Sequence, residues 1–203
     1  MYLFIDTETG GLTTDHSLLT ISLIPVDKQF QIIPITYTDP LTGQPSYTES
    51  GLYLGVKHDK YVLTKEALAV NKIDIAEHDK TAVPLAAART LVLAFISHVA
   101  QVCGKKYLVP AGHNVGFDAG FVRTYLLSNE EWERFFSYPA LDTAATARFL
   151  NAAGVIGSGY SLTSLRDKFL GAPLGAAHDA EVDNLTSIAL ARKFAQMVAP
   201  NRL

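Results

Sequence analysis

Three short stretches of the sequence gather carboxylates and histidines at spacings that suit chemistry. Asp6-Thr7-Glu8 ends the apolar run Met1-Tyr2-Leu3-Phe4-Ile5, and in an extended strand two acids spaced by one residue turn to the same side. Carboxylates held side by side repel unless a cation lies between them. A turn capped by Asp6 is the plainer alternative for so short a motif, but the hydrophobic lead-in sets it at the edge of a buried strand. His113-Asn114-Val115-Gly116-Phe117-Asp118 follows a second apolar run and opens a helix, with Asn114 placed as a candidate N-cap. Asp118 lies three residues before Phe121, on the stripe formed with Val122, Tyr125 and Leu126. Its position in the first turn also suits the helix dipole, yet an inward acid needs a partner and no basic neighbour offers one. In His178-Asp179-Ala180-Glu181-Val182-Asp183, Asp179 is placed as N-cap, His178 just outside the helix and Asp183 in its second turn. A lone histidine there is ordinary; beside three acidic clusters His178 becomes a candidate base, and Asp6, Glu8, Asp118 and Asp183 a candidate cation site.

The elements that must position these groups follow from periodicity. β-branched and aromatic runs at Tyr2–Asp6, Leu18–Val26 and Phe30–Tyr37, separated by Gly10-Gly11 and Asp27-Lys28, predict three antiparallel strands with tight connections. Residues 39–55 collect Pro, Gly, Ser and Thr and predict an extended surface excursion, part of a loop-rich stretch at about 39–65. Pro84 opens a helix whose stripe is Leu85, Ala88, Val92, Phe95, Ile96 and Val99, ending before Gly104. A buried strand at Tyr107–Ala111, a short one near Ala140–Asp142, and helices over Thr143–Asn151, Ser161–Leu170 and from Ala180 complete the chain. The last has Ile188, Ala191, Phe194, Ala195 and Val198 as its core face. The fold class is α/β, a mixed central sheet with its first three strands antiparallel and helices on its faces.

Taken in order, Phe4-Ile5-Asp6-Thr7-Glu8-Thr9-Gly10-Gly11-Leu12, His113-Asn114 to Phe117-Asp118, and His178-Asp179-Ala180 to Asp183 resemble the three motifs of the DEDDh exonucleases. These DnaQ-like 3′→5′ enzymes include polymerase proofreading subunits and ribonuclease T, and Glu66–Ile73 resembles a weaker segment between their first two motifs. The resemblance implies a ribonuclease H-like fold and a metal-dependent exonuclease that releases 5′-mononucleotides from the 3′ end of a nucleic acid strand. It also implies that Asp6, Glu8, Asp118 and Asp183 surround two Mg²⁺ or Mn²⁺ ions, with Asp6 bridging them and His178 as general base. The backbone of Thr9, Gly10 and Gly11 would approach the terminal 3′-hydroxyl and Leu12 would lie under the last base, with Asn114 and Phe117 also in the strand-binding set. Phe117, preceding a buried helix face, suits the core better than stacking. Gly10 departs from the pattern, standing where threonine is common, and residues 39–65 are longer than in compact members. DNA is mildly favoured as substrate. An exoribonuclease acting on RNA 3′ ends or short oligoribonucleotides is the alternative, as is a catalytically silent module that binds strand ends or docks on a polymerase.

Composition bounds these readings. A chain of 203 residues, 48% hydrophobic and without low-complexity stretches, suits one domain over 1–203. The single cysteine, Cys103, excludes an internal disulfide and a cysteine-based zinc cluster. The start lacks a signal-peptide pattern, and Leu85–Val102 is interrupted by Arg89, Thr90, Ser97 and His98, so the expectation is a cytoplasmic protein with no membrane partner. A net charge of −3 argues against coating DNA through many phosphate contacts. Setting four carboxylates aside for metal leaves the remainder near neutral, so single-stranded DNA with a 3′ end stays the expected partner. Lys57-His58-Asp59-Lys60-Tyr61 mixes basic and aromatic residues as a strand-binding edge would, although a solvated hairpin suits it better. A polymerase or replication partner would have to use the folded surface, because the sequence stops shortly after its last helix. Nothing in the sequence sets the oligomeric state.

Overall fold

The structure is a computed structural model, and it describes residues 1–171 and 179–199. Two strands lead, β1 (Tyr2–Thr9) and β2 (Leu18–Val26), followed by β3 (Ile35–Thr38), β4 (Pro45–Thr48) and β5 (Leu52–Lys57). The helices α1 (Lys65–Asn71) and α2 (Ile75–Thr81) precede β6 (Val83–Pro84) and α3 (Leu85–Val102). Then come β7 (Val109–Gly112), α4 (Val115–Tyr125), α5 (Asn129–Phe135), β8 (Leu141–Asp142), α6 (Thr143–Ala152), α7 (Leu162–Phe169) and α8 (Ala180–Val198).

The central sheet has six strands in the order β6-β5-β2-β1-β7-β8. β1 pairs antiparallel with β2 and β2 with β5, whereas β7 lies parallel to β1 and β8 parallel to β7. All nine residues of β2 are buried, as expected of a strand with neighbours on both sides and helices on both faces. Alternation sorts β1 between two cores. Leu3 and Ile5 join Ile21, Phe95 and Phe121 on the face covered by α3 and α4. Phe4 joins Ile24, Ile188 and Ala191 on the face covered by α8.

The mixed sheet with three antiparallel leading strands is present, but its third member is β5 and not the expected Phe30–Tyr37 run. That run breaks twice. Asp27 Oδ1 accepts from Gln29 N and Gln31 N, closing a turn in which Phe30 takes a left-handed conformation (φ 59°) and stacks on Tyr2. Pro34 then removes a ladder donor. What remains, β3, pairs with β4 in a separate two-stranded sheet, so residues 39–55 supply strands as well as loops.

By length and mean hydropathy, 1.5, α3 is apolar enough to cross a membrane, so its interrupting polar residues do not by themselves exclude a span. Its stripe is already used: Ala88, Val92, Phe95, Ile96 and Val99 are buried in the core. The Lys57–Tyr61 segment is neither a free hairpin nor an open edge. Lys57 pairs with Asp79, and His58 donates Nε2–H to the Leu18 carbonyl while its ring packs on Tyr61 and Tyr125.

Candidate active site

The acids of the first motif sit where β1 runs out from under its cover. Asp6 and Glu8 share the α8 face with Phe4, but Phe4 is fully buried while the two acids are half-buried. The third acid comes from α8. Asp179 caps that helix, its Oδ1 accepting from Glu181 N and Val182 N, and Asp183 follows one turn in, donating its N–H to the Asp179 carbonyl. Beside it the buried Asn184 donates Nδ2 to the Phe4 carbonyl at 3.1 Å and to the Ser22 carbonyl at 3.2 Å, pinning α8 to β1 and β2. As a result, carboxylate oxygens of Asp6, Glu8 and Asp183 all lie within 4.8 Å of one another. Asp118 approaches from the opposite face, buried in the first turn of α4, where it accepts from Thr7 Oγ1 at 2.7 Å.

This crowding controls protonation. Burial pushes Asp6 well above the ordinary carboxylate range, and the charges of Asp118, Glu8 and Asp183 push it further. Glu8 is pushed up to about 8, by burial first and then by Asp183 and Asp118. Burial lifts Asp118 to about 7 even though hydrogen bonds from Thr7 pull the other way. Carboxyls that keep protons near neutral pH for lack of a counter-charge form the hard oxygen donor set of a divalent cation.

Next to the acids lies a cleft of about 520 Å³, walled by the end of β1, by α1 and by Phe117 of α4. Its turn is held rigidly. Thr9 Oγ1 donates to the Gly11 carbonyl, Gly10 N to Ser17 O, Thr64 N to Gly10 O, and the buried Asn71 donates Nδ2 to Thr9 O at 3.1 Å. A Cβ on Gly10 would collide with the Val62 carbonyl, which explains glycine where the motif commonly has threonine. Thr9, Gly11 and Leu12 line the cleft; Leu12 is 86% exposed at its rim, while Gly10 stands behind it. Phe117 is half-buried, packed on Phe121 with centroids 5.0 Å apart and also lining the cleft, so it serves core and cleft together. Asn114 is exposed and is not among the residues lining the cleft. It occupies the N-cap position in a left-handed conformation (φ 62°) without a side-chain cap bond, and its N–H donates to Asp142 Oδ1. His178 lies outside the described residues.

Four residues with supporting roles went unmarked in the sequence pattern: Thr7, Asn71, Asp142 and Asn184. Asn71 falls within the Glu66–Ile73 segment, which was the one available signal. The other three act through hydrogen bonds to groups more than twenty residues distant, which leave no periodic trace.

No protein-family profile and no curated protein sequence matches the chain. Solved structures do. E. coli Exonuclease I in complex with a dT13 oligonucleotide is 21% identical with a TM-score of 0.67; the match covers 98% of this chain but 41% of that one. Thus the chain spans about two fifths of the Exonuclease I length. Exonuclease X in complex with 5′ overhanging duplex DNA is 19% identical (TM-score 0.53), with 98% of this chain and 93% of that one covered. The nuclease domain of 3′hExo, a DEDDh family member bound to rAMP, is 14% identical (TM-score 0.60), with 96% and 91% covered. The chain therefore has the ribonuclease H-like fold of these exonucleases.

Proposed function

We propose that the chain is a metal-dependent 3′→5′ exonuclease that hydrolyses a DNA strand from its 3′ end and releases 5′-mononucleotides. The observation that carries this is the meeting of Asp6, Glu8 and Asp183 within 4.8 Å, with Asp118 behind them, at the mouth of a cleft shaped by the Thr9–Gly11 turn. The fold shared with nucleases, two of them captured on DNA, supports it.

The donor set is all carboxylate, which suits Mg²⁺ or Mn²⁺. Asp6, Glu8 and Asp183 would hold the metal, with Asp118 supporting a second ion. When bound, two such ions supply Lewis-acid stabilisation of phosphoryl charge and ease deprotonation of water. The chain's own groups do the rest. The Thr9–Gly11 backbone receives the terminal 3′-hydroxyl and excludes a strand that continues beyond it. Leu12 and Phe117 present apolar surface to the last base. His178 takes the proton of the attacking water, the task of a general base.

The test is digestion of 5′-labelled DNA and RNA single strands of one sequence with Mg²⁺, Mn²⁺ or chelator. The expected result is a metal-dependent ladder shortened from the 3′ end, faster on DNA, blocked by a 3′-phosphate and absent for a circular strand. Rapid cutting of the circle would overturn the end-dependent mechanism, and faster digestion of RNA would overturn the DNA assignment. Replacing His178 by Ala should slow single-turnover cleavage by about 10²–10⁴-fold while leaving metal affinity unchanged.

A further inference from the structure

We infer that a second cleft, on the other side of α4, binds the single-stranded nucleic acid that lies 5′ of the terminal nucleotide. This inference rests on the proposed exonuclease activity for its substrate, but not for its evidence.

The cleft, about 820 Å³, runs between α4, α5 and the segments that flank β7 and β8. It shares a wall with the acid site. Phe117 and Asp118 serve the first site, whereas Gly116, Ala119 and Gly120 of the same helix line this one.

Its chemistry is that of a strand-binding track. Tyr138 is wholly exposed and Tyr107 is 43% exposed, both on the cleft wall, and Trp132 completes an aromatic lining. Exposed ring faces beside cations are what unpaired bases stack on without regard to sequence. Arg123 donates Nε and Nη2 to the neutral Asn129 Oδ1, so its charge is not offset, and Lys106 lies over the Tyr107 ring at 5.0 Å. Past Tyr107 the surface continues into a shallow depression lined by Lys105, Lys106 and Arg134. Among the described residues none of these four cations enters an ion pair. Glu133 is the one carboxylate among the residues lining either depression. In a chain of net charge −3, four cations against one carboxylate over the two adjoining depressions is a local positive excess that fits a phosphate backbone.

The floor points the same way. Glycine in a helix interior, as at Gly120, costs stability relative to alanine, yet a Cβ there would meet only the Thr14 methyl at 3.6 Å, and one at Gly116 in the first turn nothing within 4 Å. Packing does not require either glycine. A bare floor does, if a base or sugar lies on it. Isolated bases rather than duplex fit here, because the rings offer their faces and not a groove-reading edge.

Trp132 is the only tryptophan of the chain, so its fluorescence reports on this cleft without any need for cleavage. The experiment titrates the full chain, in chelator, with oligothymidylate of about twelve nucleotides, with a trinucleotide, with a blunt duplex and with polyglutamate. Saturable quenching by the long strand alone is expected. Tyr138→Ala and Arg123→Gln, both surface changes, should each weaken it about tenfold, and Gly116→Leu should weaken it without lowering Tm. With metal, Tyr138→Ala and Arg123→Gln should lower kcat/KM on the long strand and leave it unchanged on the trinucleotide. Variants that bind the long strand as tightly as wild type, or equal quenching by duplex or polyglutamate, would overturn the inference. Quenching by the long strand without metal-dependent cleavage of any strand would uphold this cleft and remove the proposed exonuclease activity.

Discussion

The two faces of β1 end differently. On one, Leu3, Ile5 and Thr7 stay buried to the end of the strand, and Thr7 closes the series with a hydrogen bond to Asp118. On the other, burial stops at Phe4, and Asp6 and Glu8 emerge half-covered toward Asp183. Both faces bury carboxyls and both raise their pKa, to about 7 at Asp118 and about 8 at Glu8. The difference lies in what answers the charge. The closed face answers with a hydroxyl from the strand itself, so that Asp118 has a partner in the protein. The open face sets carboxylates against each other, a condition relieved by protons or by a cation.

The largest expected effect is on the open face. Asp6→Ala should abolish metal-dependent cleavage, measured on a labelled single strand, while raising the metal-free Tm by relieving repulsion. Retained cleavage would show that the cluster is not the reacting centre. Metal should come next. At a hundredfold excess over its Kd, Mg²⁺ or Mn²⁺ should add roughly 2.7 kcal/mol to unfolding stability, seen in calorimetry as a rise in Tm that Asp6→Ala lacks.

pH sharpens this. Carboxyls raised in the folded state bind more protons there than in the unfolded chain, so the contribution of Asp6, Glu8 and Asp118 to metal-free stability is fullest below about 4.5 and is lost as pH rises through about 7 and 8. The metal-induced gain in Tm should therefore grow between about pH 5 and about pH 8. A pH-independent gain would mean that metal and protons do not compete for these oxygens.

On the closed face, Thr7→Val should cost about 1–3 kcal/mol, because it removes the donor to a buried carboxyl. Urea unfolding at pH 6 and pH 8 should show the larger loss at the higher pH, where more of Asp118 is ionised. Smallest of all, Asp118→Asn keeps an acceptor for Thr7 and should leave metal-free stability within about 0.5 kcal/mol, while lowering turnover. A large loss of stability in that variant would place an unrecognised structural contact at Asp118.

The clustered acids were legible because type and spacing both mattered. Asp6 and Glu8 were found through strand alternation, Asp118 through its place on an apolar stripe, and Asp183 through the helix start at Asp179. Most helices were legible too, since each has a cap or a stripe. The third sheet strand was not. Leu52–Lys57 alternates, but Gly51 and Gly55 dilute its pattern, and the preceding polar residues made the whole stretch read as loop. Phe30–Tyr37 carried the stronger β signal, yet Phe30 gains more by stacking on Tyr2 than by extending a ladder that Pro34 would interrupt. The cleft beyond α4 was equally hidden. Tyr107, Trp132 and Tyr138 come from three different segments and share no period, so their common surface exists only after folding.

Asn184 fixes more than a helix position. Its bonds to the Phe4 and Ser22 carbonyls join groups some 160 to 180 residues apart in sequence, and the adjacent Asp183 is brought to Asp6 and Glu8 by the same docking. Contacts of such long sequence separation are entropically late in folding, and synthesis proceeds from the N-terminus. A nascent chain with its sheet complete but α8 still in the ribosome tunnel holds two of the three clustered carboxylates and none of the clamp. The acid centre is therefore complete only once α8 has docked on the finished sheet, and a partly made or partly unfolded chain is without it.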